Sequence, residues 1–350
     1  MFKLPKEIAI YGLGYYGTSC IDYIIKNYTT KISFIIDNNL CSEQDFFNGI
    51  PIISYNEFLK INRKLFILVT IRSGNSYKLD NFENAELNYI HFDQLFVLEN
   101  SKTINKVAKL FNDDESKILY SCLLGKRASF IGKIEHSLIS ANQYFCLPDF
   151  QRCSNQLLID CGAYVGDTFE KWLIINEGNI GGYLGIDPFS QHEKLFKNKL
   201  SRLSSEYILN KKNINYMVGF VCNSNISVKL NNDIKVKSRT SLSKNTTNLD
   251  EVKSNIVKTF KLDDLLNNFL ANYSSIFIKM DIEGSEFEAL LGAENFIKEY
   301  NPLMAISVYH RIDDLIRIPL LINSFSNNYN FYLRHHSPTL DETILYCVPR

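Results

Sequence analysis

The run from Leu157 to Asp187 constrains the fold more than any other stretch of the chain. An apolar segment (Leu157, Leu158, Ile159) ends on Asp160 and enters Cys161-Gly162-Ala163-Tyr164-Val165-Gly166, a turn bounded by glycines. A helical segment from Asp167 to Ile175 follows, with Asp167 placed to cap it. After a glycine-rich break, a second apolar run (Tyr183, Leu184, Ile186) ends on Asp187-Pro188. Strand, glycine turn, helix, strand and acid make half of a doubly wound nucleotide-binding sheet. Gly162 and Gly166 let the backbone approach a ligand, and Asp187 stands where a carboxylate can grip ribose hydroxyls.

A turn of the same kind lies near the N-terminus. Residues 7–12 read as a buried strand feeding Gly12-Leu13-Gly14-Tyr15-Tyr16-Gly17, a G-x-G-x-x-G pattern. Cys20, Ile21, Ile24 and Ile25 then recur at helical spacing. Ile32 to Ile36 reads as a strand ending on Asp37, and Leu65–Val69 and Tyr89–Phe92 as a third and a fourth. Residues 1–100 are therefore expected to form a small Rossmann-like domain. Gly12, Gly14, Gly17 and Asp37 could hold a nucleotide there, and the same turn is equally open to a packing role without a ligand.

Residues 101–155 read as a helical connector. Ile104, Val107, Leu110 and Phe111 suggest one helix, and Ile118, Leu119, Cys122 and Leu123 another. No Gly/Ser/Pro run interrupts the segment, so it should be packed rather than flexible, and it carries no legible chemistry.

The second domain, residues 156–350, continues from Asp187 with a helix (Glu193 to Leu200) and a strand around Tyr216 to Val221. Residues 222–258 form a polar insert. In it Ile226 to Leu230 alternates like a hairpin strand, and Arg239-Thr240-Ser241 reads as solvated loop. Ile276 to Gly284 is a buried strand ending in carboxylates, and alternation puts Lys279, Asp281 and Glu283 on one side. An acid in such a run needs a partner if buried, and Lys279 is the candidate partner of Asp281. Ser285 with Glu288 has the spacing of a capping box that opens the next helix.

Leu303 to His310 is a further buried strand with His310 at its carboxyl end, and Phe331–His336 with Thr343–Val348 reads as a terminal antiparallel hairpin. Ligands of open α/β sheets bind at the carboxyl edge, which singles out Asp281, Glu283 and His310. Of the other histidines, His192 is expected on a helix surface, and His335 and His336 in hairpin packing.

Seven strands with a reversed hairpin at the end of a mostly parallel sheet are the layout of class I methyltransferases. The series Ile159–Thr168, Ile186-Asp187-Pro188 and Lys279-Met280-Asp281-Ile282-Glu283-Gly284-Ser285-Glu286 resembles the FkbM family of S-adenosylmethionine-dependent methyltransferases. Pro302 leading into Ser307-Val308-Tyr309-His310, and Tyr332–His336 followed by Glu342-Thr343 and Leu345-Tyr346, extend the resemblance over nearly all of residues 157–349. It implies an α/β class I methyltransferase fold behind a small Rossmann-like α/β domain. Asp160, Gly162, Ala163, Gly166 and Asp281 would pack against the cofactor, and Asp187, where Glu is more usual, would hold the ribose.

Members of that family methylate hydroxyls on sugars and secondary metabolites. A sugar hydroxyl is a weak nucleophile near neutral pH, so a general base or a divalent cation would help. The expected division has Asp281 and Glu283 orienting acceptor hydroxyls or a cation, with His310 as base. Gly49-Ile50-Pro51-Ile52 followed by Ser54-Tyr55-Asn56-Glu57-Phe58 is loosely similar to the nucleotide-sugar-binding domain of sugar acetyltransferases. This favours a glycan or other small-molecule acceptor, with a nucleotide-sugar at the N-terminal domain. Two competing readings are a nucleotide-sugar-binding protein on a degenerate methyltransferase scaffold, and an NAD-dependent oxidoreductase. The second lacks an identifiable hydride-transfer constellation.

Composition narrows the setting. Lys+Arg and Asp+Glu both total 38, a balance that argues against a broad nucleic-acid or anionic-membrane surface. No apolar run suits a signal peptide or a membrane span, and the eight cysteines show no Cys-x-x-Cys spacing, so a cytoplasmic protein with buried thiols is expected.

Overall fold

A computed structural model of the chain describes residues 4–61, 64–72, 82, 86–151, 154–230, 242–243, 256–266 and 273–350. The first sheet contains β1 (Glu7–Tyr11), β2 (Lys31–Ile36), β3 (Phe46–Phe47), β4 (Ile50–Ile53), β5 (Phe66–Val69) and β6 (Tyr89–His91). Its order is β3-β4-β2-β1-β5-β6, parallel except where β3 meets β4, as the Rossmann-like reading requires.

The second sheet takes β7 (Gln156–Cys161), β8 (Gly182–Asp187) and β9 (Ile214–Val218). A small insertion follows, made of β10 (Phe220–Val221), β11 (Ser227–Leu230), β12 (Leu242–Ser243) and β13 (Ile256–Phe260). The sheet is completed by β14 (Ser275–Met280), β15 (Leu303–Ser307), β16 (Tyr329–His335) and β17 (Thr343–Pro349). The order is β9-β8-β7-β14-β15-β17-β16, with β17 alone antiparallel to its neighbours. All six residues of β7 are buried, as for a central parallel strand covered on both faces, where no alternation survives.

One expectation shifts. The run Tyr216–Val221 is not one strand: it breaks at Gly219, and β10 leaves the large sheet to pair with β13 beside the β11–β12 hairpin. Arg239-Thr240-Ser241 lies outside the described residues.

The connector is packed. Helices Ser101–Ala108 and Asp114–Ala128 contribute Val107, Leu119 and Leu123 to a buried cluster that runs from Ile8 and Ile10 of β1 to Phe331 and Leu333 of β16. Asp113 fixes the longer helix at two points. Its carboxylate accepts from the Ser116 amide at 2.9 Å, as an N-cap, and from the Arg334 guanidinium at 2.6 Å. Arg334 on β16 also donates to the Ser116 hydroxyl. Replacing Asp113 with Ala removes the cap, worth about 1 kcal/mol, and one partner of a buried cation. We expect the Asp113→Ala protein to lose about 2 kcal/mol in urea denaturation. An unchanged midpoint and slope would show that the connector is not anchored there.

Candidate functional site

The glycine turn after β7 is set by sterics and by one buried charge. Gly162 adopts φ +81 and Gly166 φ +76, and a Cβ on Gly162 would overlap the carbonyl oxygen of Asp281, so no side chain fits there. Gly162 and Ala163 both donate to the Ile186 carbonyl, tying the turn to the end of β8. Beneath it Lys279 Nζ lies 2.9 Å from Asp160 Oδ1 and donates to the Gly162 carbonyl at 2.8 Å. The Tyr183 hydroxyl donates to the other oxygen of Asp160 at 2.9 Å. Burial would favour a neutral amine, but the Asp160 and Asp281 carboxylates outweigh it and hold Lys279 protonated.

This corrects two expectations. Lys279 is the ion-pair partner of Asp160 rather than of Asp281. Asp160 itself is wholly buried beneath the turn, where it braces the backbone that would meet a ligand. Asp167 does not cap its helix either: Gly166 takes that position, and Asp167 is the first helical residue, where a negative charge suits the helix dipole.

Asp187 closes the other side of the turn. Its carboxylate accepts from the Tyr164 amide at 3.1 Å and the Phe189 amide at 3.0 Å, and His192 Nδ1 lies 2.8 Å away. His192, half-buried, is therefore tied to Asp187 rather than free on the helix surface, and its ring packs edge-on to Tyr164 and Phe189. Tyr164 holds φ +45 while its carbonyl accepts from Tyr216, a left-handed conformation costly for an aromatic residue and paid for by its neighbours.

Beyond β14 the chain gathers the predicted polar residues, though by a different route. The strand ends at Met280, and Glu283 (φ +56) and Gly284 (φ +93) turn back through left-handed conformations, so strand alternation does not align Asp281 with Glu283. Both nevertheless reach His310, whose Nε2 lies 3.4 Å from Asp281 and 3.6 Å from Glu283. On the opposite edge of the ring, Nδ1 lies 2.9 Å from Glu286 Oε1. The Ser285–Glu288 capping box does not form: Ser285 makes no side-chain cap, Glu288 bonds Asn223, and Glu286 accepts from the Ile282 amide.

Burial alone would lower the pKa of His310, but Glu286 first, then Asp281 and Glu283, raise it to about 9. Asp281 moves the other way. Burial would raise it, and the charges of Lys279 and His310 with the Tyr144 hydroxyl bond bring it below the usual carboxylate range.

Five residues with no role assigned from sequence complete the site: Tyr144, Glu286, Tyr309, Glu342 and His192. The Tyr144 hydroxyl donates to Asp281 at 2.7 Å, and that of Tyr309 lies 3.3 Å from both Asp281 and Glu342. Burial, then the Asp281 carboxylate, pushes both phenols up, so each keeps its proton. Glu286 and Glu342 stand inside stretches already quoted for the family resemblance, and Tyr309 is next to His310. Tyr144 carried no signal.

The turn with Gly12, Gly14, Gly17 and Asp37 is a separate feature of the first sheet. Asp37 is engaged by the Leu13, Asn39 and Leu40 amides. That sheet nonetheless faces the second: Tyr16 and Arg72, from its carboxyl edge, line one cleft with Tyr309 and His310.

Against known proteins, residues 160–332 match the family model described as the methyltransferase FkbM domain. No curated protein matches the chain in sequence. Among solved structures, the methyltransferase FkbM of Methylobacillus flagellatus KT aligns with TM-score 0.56 and 22% identity, over 98% of this chain and 90% of that one. An rRNA methylase of Streptococcus thermophilus aligns over 57% of this chain and 89% of its own, with TM-score 0.33 and 10% identity. Aeropyrum pernix fibrillarin, solved with natively bound S-adenosyl-L-methionine, aligns over 58% and 69%, with TM-score 0.34 and 9% identity. No described helix is long and apolar enough to cross a membrane. In sequence, sheet order and glycine turn, the stretch from Asp160 to Tyr332 is similar to the methyltransferase FkbM domain.

Proposed function

We propose that residues 156–350 bind S-adenosylmethionine and methylate a hydroxyl of a carbohydrate or nucleotide-sugar-derived acceptor. The observation that carries this reading is the adjacency of two sites at one sheet edge. The Gly162–Gly166 turn leaves backbone open beside Asp187, an arrangement that supports a nucleoside there, and Asp281, at the next strand end, lies beside His310. When bound, the cofactor supplies a methyl group on a positive sulfur, an electrophile needing no further activation. The chain's own tasks are to hold the acceptor and to take one proton.

In this reading Asp187 accepts from the ribose hydroxyls, while Gly162, Ala163 and Gly166 let the cofactor lie against backbone. Asp160 acts through Lys279 by fixing the turn. Asp281, ionised and fed by Tyr144 and Tyr309, orients the acceptor hydroxyl with Glu283. Asp281 is a weak base because its pKa is lowered. His310 is the stronger base but is charged in the free protein, with a pKa of about 9. At pH 7 only roughly one molecule in a hundred carries the neutral ring.

One observation favours a cation as well. Among the described residues Glu286 Oε2 is buried with no hydrogen-bond partner, and Asp281, Glu286 and His310 each offer a ligand atom within 4.8 Å of the others. Two carboxylates and an imidazole would hold a divalent cation, which favours ionisation of a hydroxyl bound to it. Gly12, Gly14, Gly17 and Asp37 would meet the distal part of the acceptor.

The cofactor assignment is tested by calorimetric titration with S-adenosylmethionine. Wild-type protein should bind, and Asp187→Asn should weaken binding roughly tenfold to a hundredfold, the loss of about 1.5–3 kcal/mol expected for a charged hydrogen-bonding group. No binding to the wild type would sink the proposal.

The base assignment has a pH signature. Because the free-protein pKa of His310 is raised, kcat/KM should climb about tenfold per pH unit from 7 and level off near 9. In His310→Ala that limb should vanish and the rate fall by roughly 10²–10⁴-fold. A limb that survives the substitution assigns the proton elsewhere, and activity abolished by a chelator and restored by a divalent cation supports the cation instead. Stability follows the same group. The raised pKa means that His310 stabilises the fold fully below about pH 6.5, and this contribution is lost as pH rises through about 9.

A further inference from the structure

The carboxyl edges of the two sheets face each other across a narrow cavity of about 20 Å³, which takes an anion only where the Asp341 carboxylate gives way. Tyr16 and Arg72 enter it from the glycine turn and the end of β5, Tyr309, His310 and Arg311 from the end of β15, and Arg127 from the connector helix. Three guanidinium groups thus converge beside the proposed acceptor site. Arg127 is only 7% exposed, and among the described residues its guanidinium makes one hydrogen bond, to the Ile312 carbonyl at 3.2 Å. Among the described residues no carboxylate lies within ion-pair distance of it. A guanidinium buried without a matching anion is costly, and the cost is offset when an anion arrives.

Two carboxylates also line the cleft, Asp93 and Asp341. Asp93 accepts from the Tyr16 hydroxyl at 2.5 Å and lies beside His91. Asp341 meets Arg72 in a two-point contact, with Nη1 3.0 Å from Oδ2 and Nη2 2.8 Å from Oδ1. That fork is the geometry in which arginine grips a phosphate or carboxylate of a ligand. Both partners are part-exposed, so the contact contributes little to stability and a ligand oxyanion can take the place of Asp341 cheaply.

We propose that this cleft binds an oxyanion of the acceptor, phosphate or carboxylate, held by Arg127 and Arg72 with Arg311 at its edge. The acceptor is thereby a negatively charged molecule spanning both sheets, anchored by its anion and presenting a hydroxyl towards Tyr309 and His310. The inference rests on the reading that the His310 side of the second sheet receives the acceptor.

The full chain should be titrated with inorganic phosphate, and separately with malonate, at low ionic strength by calorimetry. Phosphate should bind the wild type. Asp341→Asn, which removes the competing carboxylate, should bind it several-fold tighter, and Arg127→Gln about tenfold more weakly. Malonate binding in place of phosphate, with the same response to both substitutions, supports the site and makes its occupant a carboxylate. If Arg127→Gln fails to fold by circular dichroism, Asp341→Asn decides alone. Equal affinity in that variant and the wild type, or no binding of either anion, overturns the proposal. Titration with S-adenosylmethionine in parallel separates the two readings: cofactor bound without an anion leaves the methyltransferase standing and removes the cleft, and an anion bound without cofactor does the reverse.

Discussion

The second sheet depends on the buried pair of Lys279 and Asp160. These residues sit opposite each other on neighbouring central strands, 3% and 0% exposed, and a charge so placed must be matched or it unfolds its surroundings. Here the match also shapes the site. The ammonium reaches past the carboxylate to the Gly162 carbonyl, the Tyr144 ring lies over it, and the Tyr183 hydroxyl completes the carboxylate from the third strand. Three adjacent strands are thereby locked in register under the one turn where the backbone must be open. Packing alone would hold the strands, but it would not fix which carbonyls point down and which amides remain for a ligand.

The same balance of burial against charge governs His310. Desolvation favours its neutral form; with Glu286 in contact and Asp281 and Glu283 close by, the charged form wins. The cluster is thus stored as an imidazolium among acids. Chemistry on a hydroxyl requires that arrangement to be disturbed, whether by higher pH or by an acceptor or cation that competes for the acids. Tyr144 and Tyr309, both kept protonated, can follow Asp281 through such a change because each donates a single proton to it.

The local patterns were legible in the sequence, and the assembly of the site was not. Apolar runs ending on Asp160, Asp187 and Asp37 marked strand ends, because a buried parallel strand has no polar face to confuse the reading. Gly162 and Gly166 marked the turn for a steric reason that is local. Alternation aligns Glu283 with Asp281 only if the strand continues past Met280, where the chain instead turns with positive φ. Sequence proximity pairs Lys279 with Asp281, whereas its ion-pair partner Asp160 lies on the adjacent strand, 119 residues away by number. Tyr144 could not be found at all: it meets Asp281 only because the connector wraps over the sheet, and nothing in its own neighbourhood records that. His192 was lost for the opposite reason, as a helical polar residue that resembles surface until β8 delivers Asp187 beneath it.

The two glycine turns are braced differently, and the difference supports placing the proposed chemistry at the second. In both, the first glycine donates to the strand opposite, Gly12 to Ile36 and Gly162 to Ile186, and the acid ending that strand accepts an amide of the turn, from Leu13 or from Tyr164. They differ in what braces the glycine carbonyl. In the first sheet it is the Thr70 hydroxyl, 2.7 Å from the Gly12 carbonyl and 3.0 Å from that of Tyr11, with one proton to share. In the second it is an ammonium with three protons, held by a carboxylate and bonded to the Gly162 carbonyl by a charge-assisted contact. A neutral, shared brace suffices for a turn that packs or loosely holds a ligand. A turn that must keep a reacting group within a fraction of an ångström needs the stiffer one. On the proposed function the first sheet is a wall, and its carboxyl edge, with Tyr16 and Arg72, lines the cavity next to the proposed acceptor site.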